Sequence, residues 1–312
     1  MIENELKPMD LGGLIDKTFR LIIANMKNFL KIFWVFFGIT MGIALILAAL
    51  VVGIVLYYNG FEKGLSELPF AMTQGGMLPA LAIGIPVFIV LFVVLIIVSL
   101  IYYGMTFDLY IKAFLGQEWD FKRSFDSSKS KIGTIFATSM LSSLIMIGGI
   151  FLCCIGMFIF AIFLSFAFPI IMYEERKATD AISRSFNLVK GNFWFILVAE
   201  LIIGLILSAI SAVLQVFSFA IGGLAPFIEK GGDINVGVLT AFIVIVILFI
   251  VATIVLSIIS SAIQTAFFVI LYFNERIKQE NFGVEKLAET MISDMETSTE
   301  EDSSITKDDK DE

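Results

Sequence analysis

Residues Ile132 to Tyr173 read IGTIFATSMLSSLIMIGGIFLCCIGMFIFAIFLSFAFPIIMY, 42 positions without one Asp, Glu, Lys or Arg. A helix of that length would measure about 63 Å, roughly twice the ~30 Å hydrocarbon core of a bilayer. A single crossing cannot use so long a stretch, and water cannot solvate it. It therefore reads as two membrane spans, 132–150 and 154–172, joined by a tight turn near Gly148–Gly149 or Gly156. Cys153 and Cys154 are neighbours in this run. Adjacent cysteines close at best a strained bridge, so they read as small apolar side chains.

The same length rule, applied outward, gives spans at 30–56, 78–105, 193–220 and 236–273. The chain is thus expected to be an all-α polytopic membrane protein with six transmembrane helices. Its composition agrees, with 58% hydrophobic and 16% charged residues. Soluble chains sit nearer half apolar and a quarter charged. The net charge of −8 resides in the last stretch. There ten acids from Glu289 to Glu312 face only Lys307 and Lys310, and the rest of the chain balances. This tail, 288–312, lacks apolar periodicity and is expected to be disordered.

Basic residues set the expected orientation. Between spans two and three lie Lys112, Lys122, Arg123, Lys129 and Lys131; between four and five lie Arg176, Lys177, Arg184 and Lys190. The segments before the first span and after the last are similarly basic. The opposite loops hold only Lys63 and Lys230. Both termini are therefore expected in the cytoplasm, in a cytoplasmic (inner) membrane. No small-residue cleavage site precedes the first apolar run, so no cleaved signal is expected. Trp34, Tyr57, Tyr58, Tyr102, Tyr103, Tyr173, Trp194 and Tyr272 fall near span ends, where amphipathic rings favour the headgroup level.

A short pattern recurs ahead of each odd-numbered span: Lys17-Thr18-Phe19, Arg123-Ser124-Phe125 and Arg184-Ser185-Phe186. In the first copy Leu11, Leu14, Ile15, Thr18, Ile22, Met26 and Phe29 form one helical stripe, opposite Asp16, Lys17, Arg20, Lys27 and Lys31. In the third, Ile182, Phe186, Val189 and Phe193 oppose Ser183, Arg184, Asn187 and Lys190. That 3.6-residue period suits an interfacial amphipathic helix. The expected architecture is three helix pairs, each preceded by such a helix on the cytoplasmic side. Asp10 and Thr179 are expected N-caps.

Three segments carry a resemblance: Leu11-Gly-Gly-Leu-Ile-Asp-Lys-Thr-Phe-Arg, Ala181-Ile-Ser-Arg-Ser-Phe-Asn-Leu-Val-Lys-Gly-Asn-Phe-Trp, and Leu271-Tyr-Phe-Asn-Glu-Arg-Ile-Lys-Gln-Glu-Asn-Phe. Together, in this order, they resemble a broad prokaryotic family of six-span proteins named for the membrane domain of glycerophosphoryl diester phosphodiesterases. In the fused enzymes the chemistry resides in a separate soluble barrel with His and acidic metal ligands. This chain contains no histidine, so the resemblance does not extend to catalysis.

The missing histidine also excludes His-ligated metal centres and Ser-His or Cys-His nucleophile pairs. No cofactor motif, phosphate-cradling glycine loop or nucleic-acid patch is present. Two groups of residues remain as candidate sites. The first is a polar seam between spans five and six. Glu200 lies about 10 Å inside span five, sharing a face with Gly204, Ser208, Ser211 and Gln215, and Thr253, Ser257, Ser260, Ser261 and Gln264 stripe span six. A carboxyl at that depth has to pair or stay protonated, so Glu200 and Gln264 are expected to approach each other. Small-residue packing, as at Gly38-x-x-x-Gly42, explains the same stripe without any ligand. The second group is Lys17, Arg20, Lys27, Arg123, Arg184 and Lys190, as contacts for anionic lipid headgroups. Asp108, Glu174 and Glu175 read as solvated at span exits. The leading expectation is a non-enzymatic protein that binds membrane lipids, and possibly a membrane-protein partner, through its cytoplasmic helices. The alternative is a transporter or permease component using the seam around Glu200.

Overall fold

Asp10 starts the first helix: its Oδ1 accepts the Gly13 N–H at 2.9 Å, satisfying a donor that has no partner within the helix. In a computed structural model of the chain, residues 7–63, 77–151, 155–230 and 236–282 are described. They form nine helices and, among these residues, no strand. In chain order these are α1 (Leu11–Lys63), α2 (Met77–Phe114), α3 (Phe121–Ser130), α4 (Ile132–Ile150), α5 (Ile155–Leu164), α6 (Ala167–Glu174), α7 (Ala178–Gly191), α8 (Phe193–Lys230) and α9 (Val236–Glu280). Among the described residues five segments are long and apolar enough to cross a bilayer: Leu11–Gly53, Gly84–Phe114, Ile132–Ile150, Ile155–Glu174 and Ile245–Glu280. Counting the bent pair α7–α8 makes six. The acidic tail and the Cys153–Cys154 pair lie outside the described residues.

Several local readings change. The first amphipathic segment is not a separate helix on the membrane surface. It runs unbroken into span one as α1, 53 residues long, because nothing between Asn25 and Leu30 interrupts helical hydrogen bonding. The other two copies do separate from their spans. The backbone leaves helical geometry at Lys131 between α3 and α4, and at Asn192 the chain turns by 100° from α7 into α8. Thr179 lies within the first turn of α7, whose N-cap is Lys177. Asp120 caps α3 by accepting the Arg123 N–H at 2.9 Å. Gly149 stands so close to α5 that a Cβ there would lie 2.7 Å from the Met157 nitrogen.

Span four is interrupted. Pro169 has no N–H for the Ser165 carbonyl, and its ring would clash there in a continuous helix. The chain accordingly stops α5 at Leu164 and restarts α6 at Ala167, which places Pro169 in the first turn, where proline is tolerated. The groups freed at the break find Ser185 of α7. Its hydroxyl accepts the Phe166 N–H at 3.2 Å and donates to the Phe163 carbonyl at 2.7 Å. By contrast Pro86, the only proline the sequence places in mid-span, lies within the continuous helix α2.

Buried side chains gather at one end of the bundle. They run from Leu14 to Ile43 in α1, Leu100 to Phe114 in α2, Ile162 to Met172 in α5 and α6, Ala181 to Val189 in α7, and Ile258 to Ile277 in α9. Farther along the spans Leu45, Val90, Phe158 and Leu248 are more than half exposed, as lipid-facing residues should be. The hydroxyl of the recurring pattern is fully buried in all three copies, at Thr18, Ser124 and Ser185. The apolar stripes of α1 and α7 therefore face this core: Leu14, Ile22 and Phe29 are buried, as are Ala181, Ile182, Leu188 and Val189. The pattern marks packing positions.

α3 lies on α2 at Gly104, where a Cβ would stand 2.9 Å from the Ser128 Cβ. A Gly104→Val variant is expected to lose about 1–3 kcal/mol of stability through overpacking. Gly38→Val, at a site with no neighbour within 4 Å, should leave it unchanged. Thermal denaturation in detergent compares the two.

Candidate functional site

The three motif segments converge at the well-packed end, and the polar residues of the closing motif make most of the connections. Tyr272 donates its hydroxyl to Glu174 at 2.8 Å. Around the Glu174 carboxylate stand Arg176 at 2.6 Å, Arg184 at 3.3 Å and Arg276 at 3.9 Å. Glu280 closes the ring, pairing with Arg276 at 3.0 Å and with both terminal nitrogens of Arg184. Arg276 also lies 4.4 Å from the centre of the Phe282 ring, a favourable cation–π distance. Side chains on α6, α7 and α9 are thereby joined.

A second set lies beside it. Glu275 is fully buried; it accepts from Asn192 at 3.3 Å and Gln279 at 3.1 Å, with Lys278 at 3.6 Å. Gln279 also donates to the Leu188 carbonyl of α7. Asn274, buried too, accepts the Met9 N–H at 2.7 Å and so ties the entry to α1 against α9. Lys131 bridges from the α3–α4 joint to the Met172 carbonyl at 3.1 Å and the Glu175 carboxylate at 2.9 Å. That ammonium draws the Glu175 pKa below the usual carboxylate range, first through its hydrogen bond and then through its charge. Glu175 ends α6 with a left-handed backbone, φ 55°.

These contacts revise the reading of the exits. The Glu174 side chain is only 11% exposed and serves three arginines. Asp108 is buried and paired with Lys112 at 2.8 Å. Tyr272 sits inside the ion cluster, and Arg184 points into the cluster too. Nothing in single-residue polarity announces this. A usable signal was the density of polar side chains in Asn274–Glu280 directly after an apolar span.

The expected seam does not form as drawn. Ser208 and Ser211 are exposed and donate to their own helix at the Leu205 and Leu207 carbonyls, both at 2.9 Å. Gly204 meets no neighbour within 4 Å. Ser257 lines a groove with Phe36, Phe92 and Ser261 from spans one, two and six, where Tyr102 and Ser261 hydroxyls are 2.9 Å apart. No hydrogen bond joins Glu200 to Gln264. Glu200 stands instead beside Ser165, at the break in span four, and its Oε1 is buried without a partner. Gln264 opens onto a chamber of about 450 Å³ that Ser165 also lines. Among the described residues no three His, Cys, Asp or Glu side chains converge as a metal site needs.

Over residues 135–300 the sequence matches the family described as the membrane domain of glycerophosphoryl diester phosphodiesterase. The chain belongs to this family. The match takes in the second and closing motifs, those that build the ion cluster, and it is to the membrane part of those enzymes. Comparison with curated proteins and with solved structures gives no match. Within the matched region the segments around Arg184 and Arg276 hold the helix ends together.

Glu174→Ala would leave Arg184 and Arg276 facing each other with Glu280 as their only shared carboxylate. Removing one partner from a largely buried pair costs about 3–5 kcal/mol, so this variant should unfold well below the parent temperature. Lys190→Ala, on the exposed face of α7, should change stability by no more than ~0.5 kcal/mol.

Proposed function

We propose that this is a non-enzymatic integral protein of the cytoplasmic membrane, whose ion-clustered end faces the cytoplasm and holds anionic lipid headgroups with its exposed basic side chains. In this reading α1–α2, α4 with α5–α6, and α8–α9 are three outward-and-return pairs, and α3 and α7 lie at the inner-leaflet surface. The observation that carries it is a groove of about 490 Å³ between the first turns of α1 and the end of α2. Lys17, Arg20, Asp16 and Asn25 contribute polar groups to it, Asp16 and Arg20 being paired at 2.7 Å, while Met9 and Phe114 form its apolar wall. Such a groove suits a phosphate with the start of an acyl chain. Around it Lys27, Arg123 and Lys190 are exposed on the same end of the bundle, and Trp34 and Trp194, also exposed, sit where a headgroup belt would be. Arg184 is left out of this set because its side chain is largely buried against Glu174 and Glu280, whereas both members of the Arg20–Asp16 pair are exposed.

The permease alternative is weaker as first framed, since the α8 hydroxyls that were to line its seam are exposed and bonded to their own helix.

Each basic residue near an anionic surface contributes about 1 kcal/mol. Changing Lys17, Arg20 and Lys190 together to Gln should therefore weaken retention of phosphatidylglycerol in mixed nanodiscs on the order of a hundredfold. Unchanged lipid retention, with an unchanged melting temperature, would refute the proposal. Tags fused before Met1 or after Glu312 should be protected from an impermeant reagent in intact cells.

A further inference from the structure

One segment of the sequence is opposite in charge to the basic end of α1, and its root lies beside the groove there. From Glu289 to Asp302 it reads ETMISDMETSTEED, with six acids and no base. Met291, Ile292 and Met295 stand apolar among them. The described residues end at Phe282, and a run of rings connects that residue to the groove. Phe282 packs on Phe273 at 5.6 Å, Phe273 stacks on Phe114 at 4.6 Å, and the Lys17 ammonium lies 4.5 Å from the Phe114 ring centre. Met9, opposite Phe114 in the apolar wall, is held by Asn274, the neighbour of Phe273 in α9. The six residues from Gly283 to Ala288 reach at most about 20 Å when extended, enough to carry the acids past those rings.

The groove continues into a basic stripe. Lys17, Arg20, Lys27 and Lys31 recur at helical spacing along α1, over about 21 Å at 1.5 Å per residue. Arg20, Lys27 and Lys31 are exposed, Lys31 lying 5.2 Å from the Phe121 ring centre. Two acids share this side of α1. Asp10 is engaged as the N-cap on the Gly13 N–H, and Asp16 is paired with Arg20. An exposed pair one turn apart is weak, so Arg20 turns to a second carboxylate at little cost. A segment too polar to build its own core gains order by meeting opposite charge, and its tether holds it near the stripe at a local concentration of about millimolar. We infer that residues 289–302 dock along this stripe, their carboxylates on Lys17, Arg20 and Lys27 and their Met and Ile side chains toward the Met9–Phe114 wall. The consequence for lipid rests on the headgroup reading above: the docked segment is an intramolecular competitor, and lipid binds only the fraction of chains whose groove is open.

A zero-length carbodiimide joins a lysine amine to a carboxylate in contact with it, and so reads the docking on the full chain. In phosphatidylcholine nanodiscs, mass spectrometry should find Lys17 or Lys27 linked to acids of residues 289–302. With isotopically light and heavy chains mixed, the links should stay within one chain. Asp294→Asn, Glu296→Gln and Glu300→Gln together should lower the linkage of the remaining Glu289, Glu301 and Asp302 at least about threefold, with the melting temperature unchanged. The inference is overturned by an absence of links to α1, by links that join only light to heavy chains, or by linkage that ignores the neutralised acids. Adding phosphatidylglycerol should displace the links, and removing residues 289–312 should tighten retention of that lipid about tenfold. Because the docking is read without anionic lipid, the two proposals fail separately. If the links form but phosphatidylglycerol neither displaces them nor is held more tightly after the truncation, the headgroup reading fails and the docking stands.

Discussion

Glu174 is where the helices of this protein are held to one another. In a bilayer the apolar faces of separate spans gain little by leaving lipid for each other, so close packing has to come from somewhere else. Here it comes from a carboxylate at the end of α6 that takes a tyrosine hydroxyl and three guanidinium groups, two of them shared onward with Glu280. A carboxylate so enclosed is tolerable only with its partners in place. The same requirement draws α7 and α9 toward α6, and the buried pairs at Glu275–Asn192 and Asn274–Met9 extend the arrangement to α8 and α1. The spans diverge in burial accordingly, with buried side chains at this end and lipid-facing ones beyond it.

The ion cluster and the interrupted span are mechanically linked. Arg184 and Ser185 are consecutive residues of α7: one is fixed by Glu174 and Glu280, and the other enters the gap at Phe163–Phe166. Whatever positions α7 therefore also positions the break, and with it Ser165, Glu200 and the chamber. This gives a physical route from the proposed cytoplasmic surface to the break in span four.

Several features were open to reading from the residues themselves. The all-helical class and the multi-pass membrane character followed from composition and run lengths. The recurrence of base, hydroxyl and Phe was also visible, and its 3.6-residue stripe was real. Its meaning was not: a buried stripe facing protein and a stripe facing lipid have the same period, and Thr18, Ser124 and Ser185 turned out to lie at helix–helix contacts. Glu174 looked solvated because it stands at a span exit next to Glu175, and only Glu175 is. The interruption in span four was legible in principle from Pro169, yet Pro86, deeper in its own span, proved compatible with a continuous helix.

The boundary between the two kinds of information lies at the reach of a single helix. Whether a segment crosses the membrane depends on its own length and transfer free energy, which are sums over its residues, and these the amino-acid order alone determined. Which polar groups meet depends on residues separated by as many as 265 positions, as the Met9 backbone and the Asn274 side chain are. Those pairings, the cluster at Glu174, the Ser185 bridge and the company kept by Glu200 were decided only by tertiary structure, because a buried charge selects its partner by distance in space.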